Sequence, residues 1–214
     1  MNEISKNFLS QNMFIDVNWV EQEFNSHLLV TSKKELELFV SELVCATSCD
    51  NPEKKILELF NAKTPLCQET NNYEIFDSLR HAFNAFVVGG LHELYIYQSN
   101  ESWYPRIRLQ SELKPNDISI LPSTIEIYRG CDVSELSKKQ YGQSWSTSID
   151  VAKEFAFIHY ASQPWFKKEK RCILNAKIDK NDVLFSRQSH HEREVAVQVN
   201  RLKNITRHLK QGLT

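Results

Sequence analysis

The chain has 214 residues, 41% of them hydrophobic, with 26 Lys+Arg against 27 Asp+Glu and only 5 Gly and 6 Pro. That size suffices for a single domain with a substantial core, and that composition excludes long low-complexity or disordered tracts. No run approaches the ~20 apolar residues of a membrane helix, and "MNEISKNFLSQNMF" lacks the apolar core of a signal peptide, so a cytoplasmic protein with no membrane partner is expected.

In chain order, the first 90 residues read as helices. "TSKKELELFVSELV" opens with Ser32 and Glu35 at capping-box spacing, and Leu36, Phe39, Val40, Leu43 and Val44 form one stripe. "DNPEKKILELF" puts Pro52 at a first helical position, with Ile56, Leu57 and Phe60 inward. "NYEIFDSLRHAFNAFVVGG" carries Ile75, Phe76, Leu79, Phe83, Phe86 and Val87 on one face and stops at Gly89 and Gly90. Beyond, "LHELYIYQS" and "RIRLQ" alternate like strands, and "LKPND" breaks the pattern. Strand-like pieces then dominate: "TIEIYRG", "SWSTS", "RCILNAKI", "DVLFS" and "EREVAVQV". One helix interrupts them, "DVAKEFAFIHYA", with Val151, Phe155 and Ile158 spaced for one face. Helices first and strands later predict an α+β domain spanning 1–214, with 1–115 mainly helical and 116–214 a β-rich core.

Charge is uneven. Residues 150–214 hold 13 Lys+Arg and 7 Asp+Glu, net +6; residues 1–149 hold 13 and 20, net −7. The basic portion suits an anionic ligand or nucleic acid and equally an ordinary solvated surface. The five cysteines (Cys45, Cys49, Cys67, Cys131, Cys172) lack CxxC spacing and read as reduced thiols.

Three pieces carry chemistry. "IEIYRG" puts the Arg129 guanidinium at a strand end, where it can grip phosphate bidentately or simply face solvent. "SWSTS" gathers Ser146, Thr147 and Ser148 ahead of a helix; Ser148 or Asp150 can cap it, which leaves the other hydroxyls without a role. In "HHEREVAVQV", strand alternation puts Val195, Val197 and Val199 on one face and Glu192 and Glu194 on the other, like charges that raise each other's pKa. His190 and His191 are adjacent, which on a strand points them apart; no metal is expected.

Arg, then Ser-Thr-Ser, then Glu-x-Glu, with "YRG", an aromatic before "STS", "A..FA" (Ala152, Phe155, Ala156) and "EREV", resembles the mono-ADP-ribosyltransferases of the Arg-Ser-Glu class over about residues 120–200. These include bacterial binary toxins, related effectors and the vertebrate arginine-modifying enzymes. The resemblance implies helices packed on two small mixed β-sheets around an NAD-binding cleft. It implies NAD+ as co-substrate and no metal. Arg129, beside Gly130, would clamp the phosphates. Ser146, with Thr147 and Ser148, would hold the nicotinamide ribose, its hydroxyl would also orient the Glu194 carboxylate, and Glu194 would stabilise the sugar cation. Glu192 would serve the acceptor, Trp165 or Phe166 would cover the nicotinamide, and Lys167, Lys168 or Lys170 would meet phosphate or the acceptor. "SRQSHH" lies where the family carries its target-recognition loop and is short. The Glu-x-Glu pattern favours protein arginine as acceptor. The basic tail (Arg201, Lys203, Arg207, Lys210) leaves nucleic acid open, and water as acceptor would make the chain an NAD+ glycohydrolase. A non-catalytic binding module is the third alternative. A toxin of a toxin–antitoxin or phage-defence system, or an effector, with an antitoxin protein as partner, is the context the family suggests.

Overall fold

The computed structural model describes residues 1–26, 30–70, 73–98 and 103–208, with the side chains of 26, 30–32 and 64–70 outside the description. The chain divides into two compact units, Met1–Arg108 and Leu109–Thr214. The last helix of the first unit ends at Ile96 and the first strand of the second begins at Thr124, and the expected boundary at 115 lies between them.

The first unit holds five helices: α1 (Glu3–Gln11), α2 (Val17–Ser26), α3 (Val30–Ala46), α4 (Pro52–Thr70) and α5 (Tyr73–Ile96). The Asn2 side chain caps α1 by accepting from the Ser5 amide at 2.8 Å. Leu36, Phe39, Val40, Leu43 and Val44 of α3 are all buried, as the stripe predicts. α3 begins at Val30, however, so Ser32 lies inside its first turn and does not stand ahead of it as a cap. Pro52 does open α4; Ile56 and Phe60 are buried, but Leu57 is half exposed. In α5, Phe76, Leu79 and Phe83 are buried.

Gly89 and Gly90 interrupt α5 without ending it. Gly90 sits at φ 66°, the left-handed region that a Cβ disfavours, and the helix resumes to Ile96. The strand expected over 91–99 is thus helical through Ile96, and Ser99 lies outside the described residues. "LHELYIY" satisfies both periods, because Leu91, Leu94 and Tyr95 are also spaced for one helical face; burial of Leu94 and Tyr95, with Tyr97 67% exposed, follows the helical choice. "RIRLQ" contributes one bridge, Ile15 to Ile107, and not a strand of a sheet. Asp16 donates its amide to Arg106 and Arg108 donates its own to Phe14.

The second unit is built on strands β1 (Thr124–Asp132), β2 (Ser144–Ser146), β3 (Arg171–Asp179), β4 (Val183–Arg187), β5 (Glu194–Val197) and β6 (Lys203–Arg207), with short helices α6 (Ser134–Lys138) and α7 (Ile149–Phe157). The expected two small mixed sheets are instead one six-stranded sheet in the order β4-β5-β2-β1-β3-β6, antiparallel throughout. The reason is β2. Its three residues pair with β5, and Ser146 pairs with Tyr128 of β1, so a single rung joins two three-stranded halves.

One face of the sheet carries the main core: Ile125, Ile127, Cys131, Trp145, Leu174, Val195 and Val197 pack together. The other carries Tyr128 and Ile173 under α7. It is Ala152 and Ala156 of α7 that lie on the sheet, not the expected Val151, Phe155 and Ile158, and Ile158 is 67% exposed. Gly130 explains the choice. A Cβ there would collide with the Ala152 carbonyl oxygen and the Ala156 amide nitrogen, so helix and strand meet backbone to backbone.

β6 lies in the basic tail. It pairs with β3 through Leu174–Arg207 and Asn175–Thr206 and is mostly exposed, as an edge strand is; Lys210 lies outside the described residues. No helix among the described residues is long and apolar enough to cross a membrane.

Candidate active site

The strands bearing the three motifs are neighbours, in the order β5-β2-β1. Ser146 is paired directly with Glu194 on one side and with Tyr128 on the other. Strand alternation places Ser144, Ser146 and Glu194 on the α7 face, because Trp145, Val195 and Val197 face the main core. Arg129, between Ile127 and Cys131 in burial, belongs to the opposite face.

Arg129 is held firmly. Its Nε and Nη2 donate to the two Glu135 oxygens at 2.9 and 3.0 Å, and its Nη1 donates to the Ser144 carbonyl at 2.6 Å. Burial works against the guanidinium charge, but Glu135 more than offsets it and holds the pKa above the ordinary arginine value. The Gly142 amide also donates to Glu135, at 3.1 Å. Glu194 accepts the Ser144 hydroxyl at 2.7 Å, and Arg187 of β4 stands opposite it in register. The hydroxyl expected from Ser146 thus comes from Ser144, two residues earlier on the same face. Both charged groups are tied to one residue.

The STS hydroxyls all have protein partners. Ser146, 6% exposed, donates to the Glu192 carbonyl at 2.7 Å and accepts the Ser148 amide at 3.0 Å. Thr147 donates to the Gln188 side-chain oxygen at 2.6 Å. Ser148 is the N-cap of α7, as expected. Thr147 and Gln188 also line a cavity of about 410 Å³ beside Leu121, Pro122 and Glu126.

Glu192 is not on the strand. β5 starts at Glu194, and Arg193 at φ 45° reverses the alternation that would have put both carboxylates on one face. Glu192 lies in a turn tied down by Gln188, whose side-chain nitrogen donates to the Arg193 and Glu194 carbonyls at 3.3 and 3.2 Å. In that turn His190 and His191 do not point apart: their ring centroids are 4.1 Å from each other. With Glu192 they bring three possible ligand atoms within 4.8 Å. Val199, expected to continue the apolar face, sits in a single 3-10 turn beyond β5.

On the loop after α7, Trp165 is 48% exposed and packs against Tyr160 at 5.3 Å, while Phe166 lies under the Arg171 guanidinium. Lys168–Lys170 form a 3-10 turn after Lys167. Cys131 and Cys172, paired across β1 and β3, have sulfurs 3.9 Å apart and are free thiols, as are Cys45 and Cys49; the Cys67 side chain lies outside the description.

Sequence reasoning missed Ser144, Glu135, Arg187 and Gln188. Ser144 had a signal, since i and i+2 share a strand face and Ser146 was already singled out. Glu135 and Gln188 act across a turn and a loop, where no periodicity points to a partner. Compared with family models, curated proteins and solved structures, the chain gives no match.

Proposed function

We propose that the chain is a mono-ADP-ribosyltransferase that cleaves NAD+ at the nicotinamide–ribose bond and transfers ADP-ribose to a macromolecular acceptor, protein arginine before nucleic acid. The observation that carries the reading is the β5-β2-β1 adjacency: the Glu, Ser and Arg motifs, far apart in sequence, lie on consecutive strands with Ser146 paired to Glu194 and Ser144 touching both charged groups.

The Glu194 side of the site fits the co-substrate's chemistry. Arg129 lies on the sheet face opposite Glu194 and is linked to it through Ser144; three of its five guanidinium N–H groups are used by Glu135 and Ser144, and two are left as donors. As the C1′–N bond breaks, neutral nicotinamide leaves and positive charge builds on the ribose; a carboxylate preorganised by a hydroxyl, as Glu194 is by Ser144, stabilises that charge. The acceptor then forms its bond to C1′ and gives up a proton. Glu192, in the turn and partly exposed, would receive it. The toxin context and an antitoxin partner rest on the family resemblance.

The test is incubation of the purified chain with labelled NAD+ and whole-cell lysate, then separate protease and nuclease treatment. Label lost to protease identifies a protein acceptor and label lost to nuclease a nucleic acid. Free ADP-ribose with no labelled macromolecule identifies a glycohydrolase, and NAD+ left intact throughout overturns the proposal.

A further inference from the structure

The helical unit holds a cavity of about 690 Å³ along α5, within the ~300–1000 Å³ of small-molecule clefts. Glu74, Asp77, His81, Asn84 and Val88 line it from successive turns of one helical face. The kink at Gly89 and Gly90 redirects the rest of α5, so Glu93 and Tyr97 line the same cavity together with Tyr104.

Three observations define what would fit. The lining is anionic: Glu74, Asp77 and Glu93 face it, and Arg80 and His81 pair with Asp77 at 2.6 and 3.6 Å, His92 with Glu93 at 3.5 Å. Glu74 makes no ion pair among the described residues. Two buried polar atoms of the lining, Asn84 Oδ1 and the Tyr104 hydroxyl, have no hydrogen-bond partner, and Tyr104 is only 8% exposed. Such orphans are rare in folded proteins, and each calls for a partner supplied from elsewhere. Burial also pushes the Tyr104 phenol well above its ordinary pKa, so it stays a neutral hydroxyl. Finally, the rings of Tyr73 and Tyr97 line the rim 43% and 67% exposed, available to stack on a cation.

We propose that this cleft binds an organic cation with several N–H donors, an alkyl guanidinium or primary amine, held by Glu74 and the Asn84 and Tyr104 oxygens between tyrosine faces. An anion meets three carboxylates there, and a neutral apolar ligand leaves both orphaned atoms unpaired. The proposal is independent of the ADP-ribosyltransferase reading.

The experiment is calorimetry of the full chain with agmatine, with its neutral urea analogue, and with a capped tripeptide containing one arginine. Agmatine is expected to bind saturably and one to one, and the urea analogue at least about tenfold more weakly, the loss typical when hydrogen bonds to a charged group are removed. Glu74→Gln, on an exposed position that does not threaten folding, is expected to lose about tenfold in agmatine affinity, and Tyr104→Phe to lose affinity with its melting temperature recorded alongside. Binding of the tripeptide as well as agmatine identifies a basic side chain as the natural source; binding of agmatine alone identifies a free small cation. No agmatine binding, equal binding of the urea analogue, or undiminished binding in Glu74→Gln overturns the proposal.

Discussion

Ser144 donates its hydroxyl to Glu194 and offers its carbonyl to Arg129, so a residue of a three-residue strand touches both charges of the candidate site. Under the proposed chemistry Ser144→Ala leaves the carbonyl and removes only the hydroxyl, so kcat falls while the KM for NAD+ stays near wild type. An unchanged kcat would take Ser144 out of the mechanism. Arg129 needs a more careful test, because it is structural as well. Arg129→Ala strands Glu135 partly buried and is expected to cost roughly 1–3 kcal/mol of stability. The double variant Arg129→Met/Glu135→Leu removes the stranded charge and should recover most of that stability without recovering NAD+ affinity. Calorimetry and a denaturant titration on both proteins separate the roles; NAD+ affinity that returns with stability means Arg129 only holds the fold.

At the scale of elements, α7 and the 188–193 turn position the site. Gly130→Ala pushes α7 off β1, an overpacking expected to cost roughly 1–3 kcal/mol, read as a lower denaturant midpoint. Wild-type stability in Gly130→Ala would contradict the backbone-to-backbone packing. In the turn, burial first, then Arg187 and His191, hold the His190 pKa below its ordinary 6.5. A base whose folded pKa is lowered stays neutral in the fold while the unfolded chain takes the proton, so stability falls as pH drops below about 6.5. His190→Gln should therefore lose less melting temperature than wild type between pH 7 and 5, and equal losses would remove His190 from that account. Glu192→Gln should lose transfer yet retain some NAD+ hydrolysis, measured as nicotinamide release beside target labelling; an equal fall in both assigns Glu192 to NAD+ cleavage. The strands of the motif region were legible in sequence because β-branched runs and alternation mark them. The helical 91–96 segment was not, since its apolar residues fit both periods. Arg193 also hid the true start of β5: nothing in "HEREV" announces a left-handed residue, and burial of Val195 and Val197 is satisfied whether the strand starts at 192 or 194.

For the whole molecule, the charge division between an acidic first part and a basic last part is blunted locally. Lys203 is engaged by Asp179 at 2.6 Å, which weakens the tail as a phosphate-binding surface, and Lys180, earlier in the basic part, is engaged by the Ser119 and Leu121 carbonyls. The α+β class followed from the order of helical and strand-like texture. The single sheet did not, because it depends on one rung between Tyr128 and Ser146 that no local pattern encodes. The central claim is that the Glu194 carboxylate, set by that sheet, stabilises a ribosyl cation. The most direct measurement is nicotinamide release from NAD+ by the purified chain and by Glu194→Gln with matching circular dichroism and melting temperature. The account predicts release by the wild type and a fall of roughly 100- to 1000-fold in the variant; equal rates in the two folded proteins would contradict it.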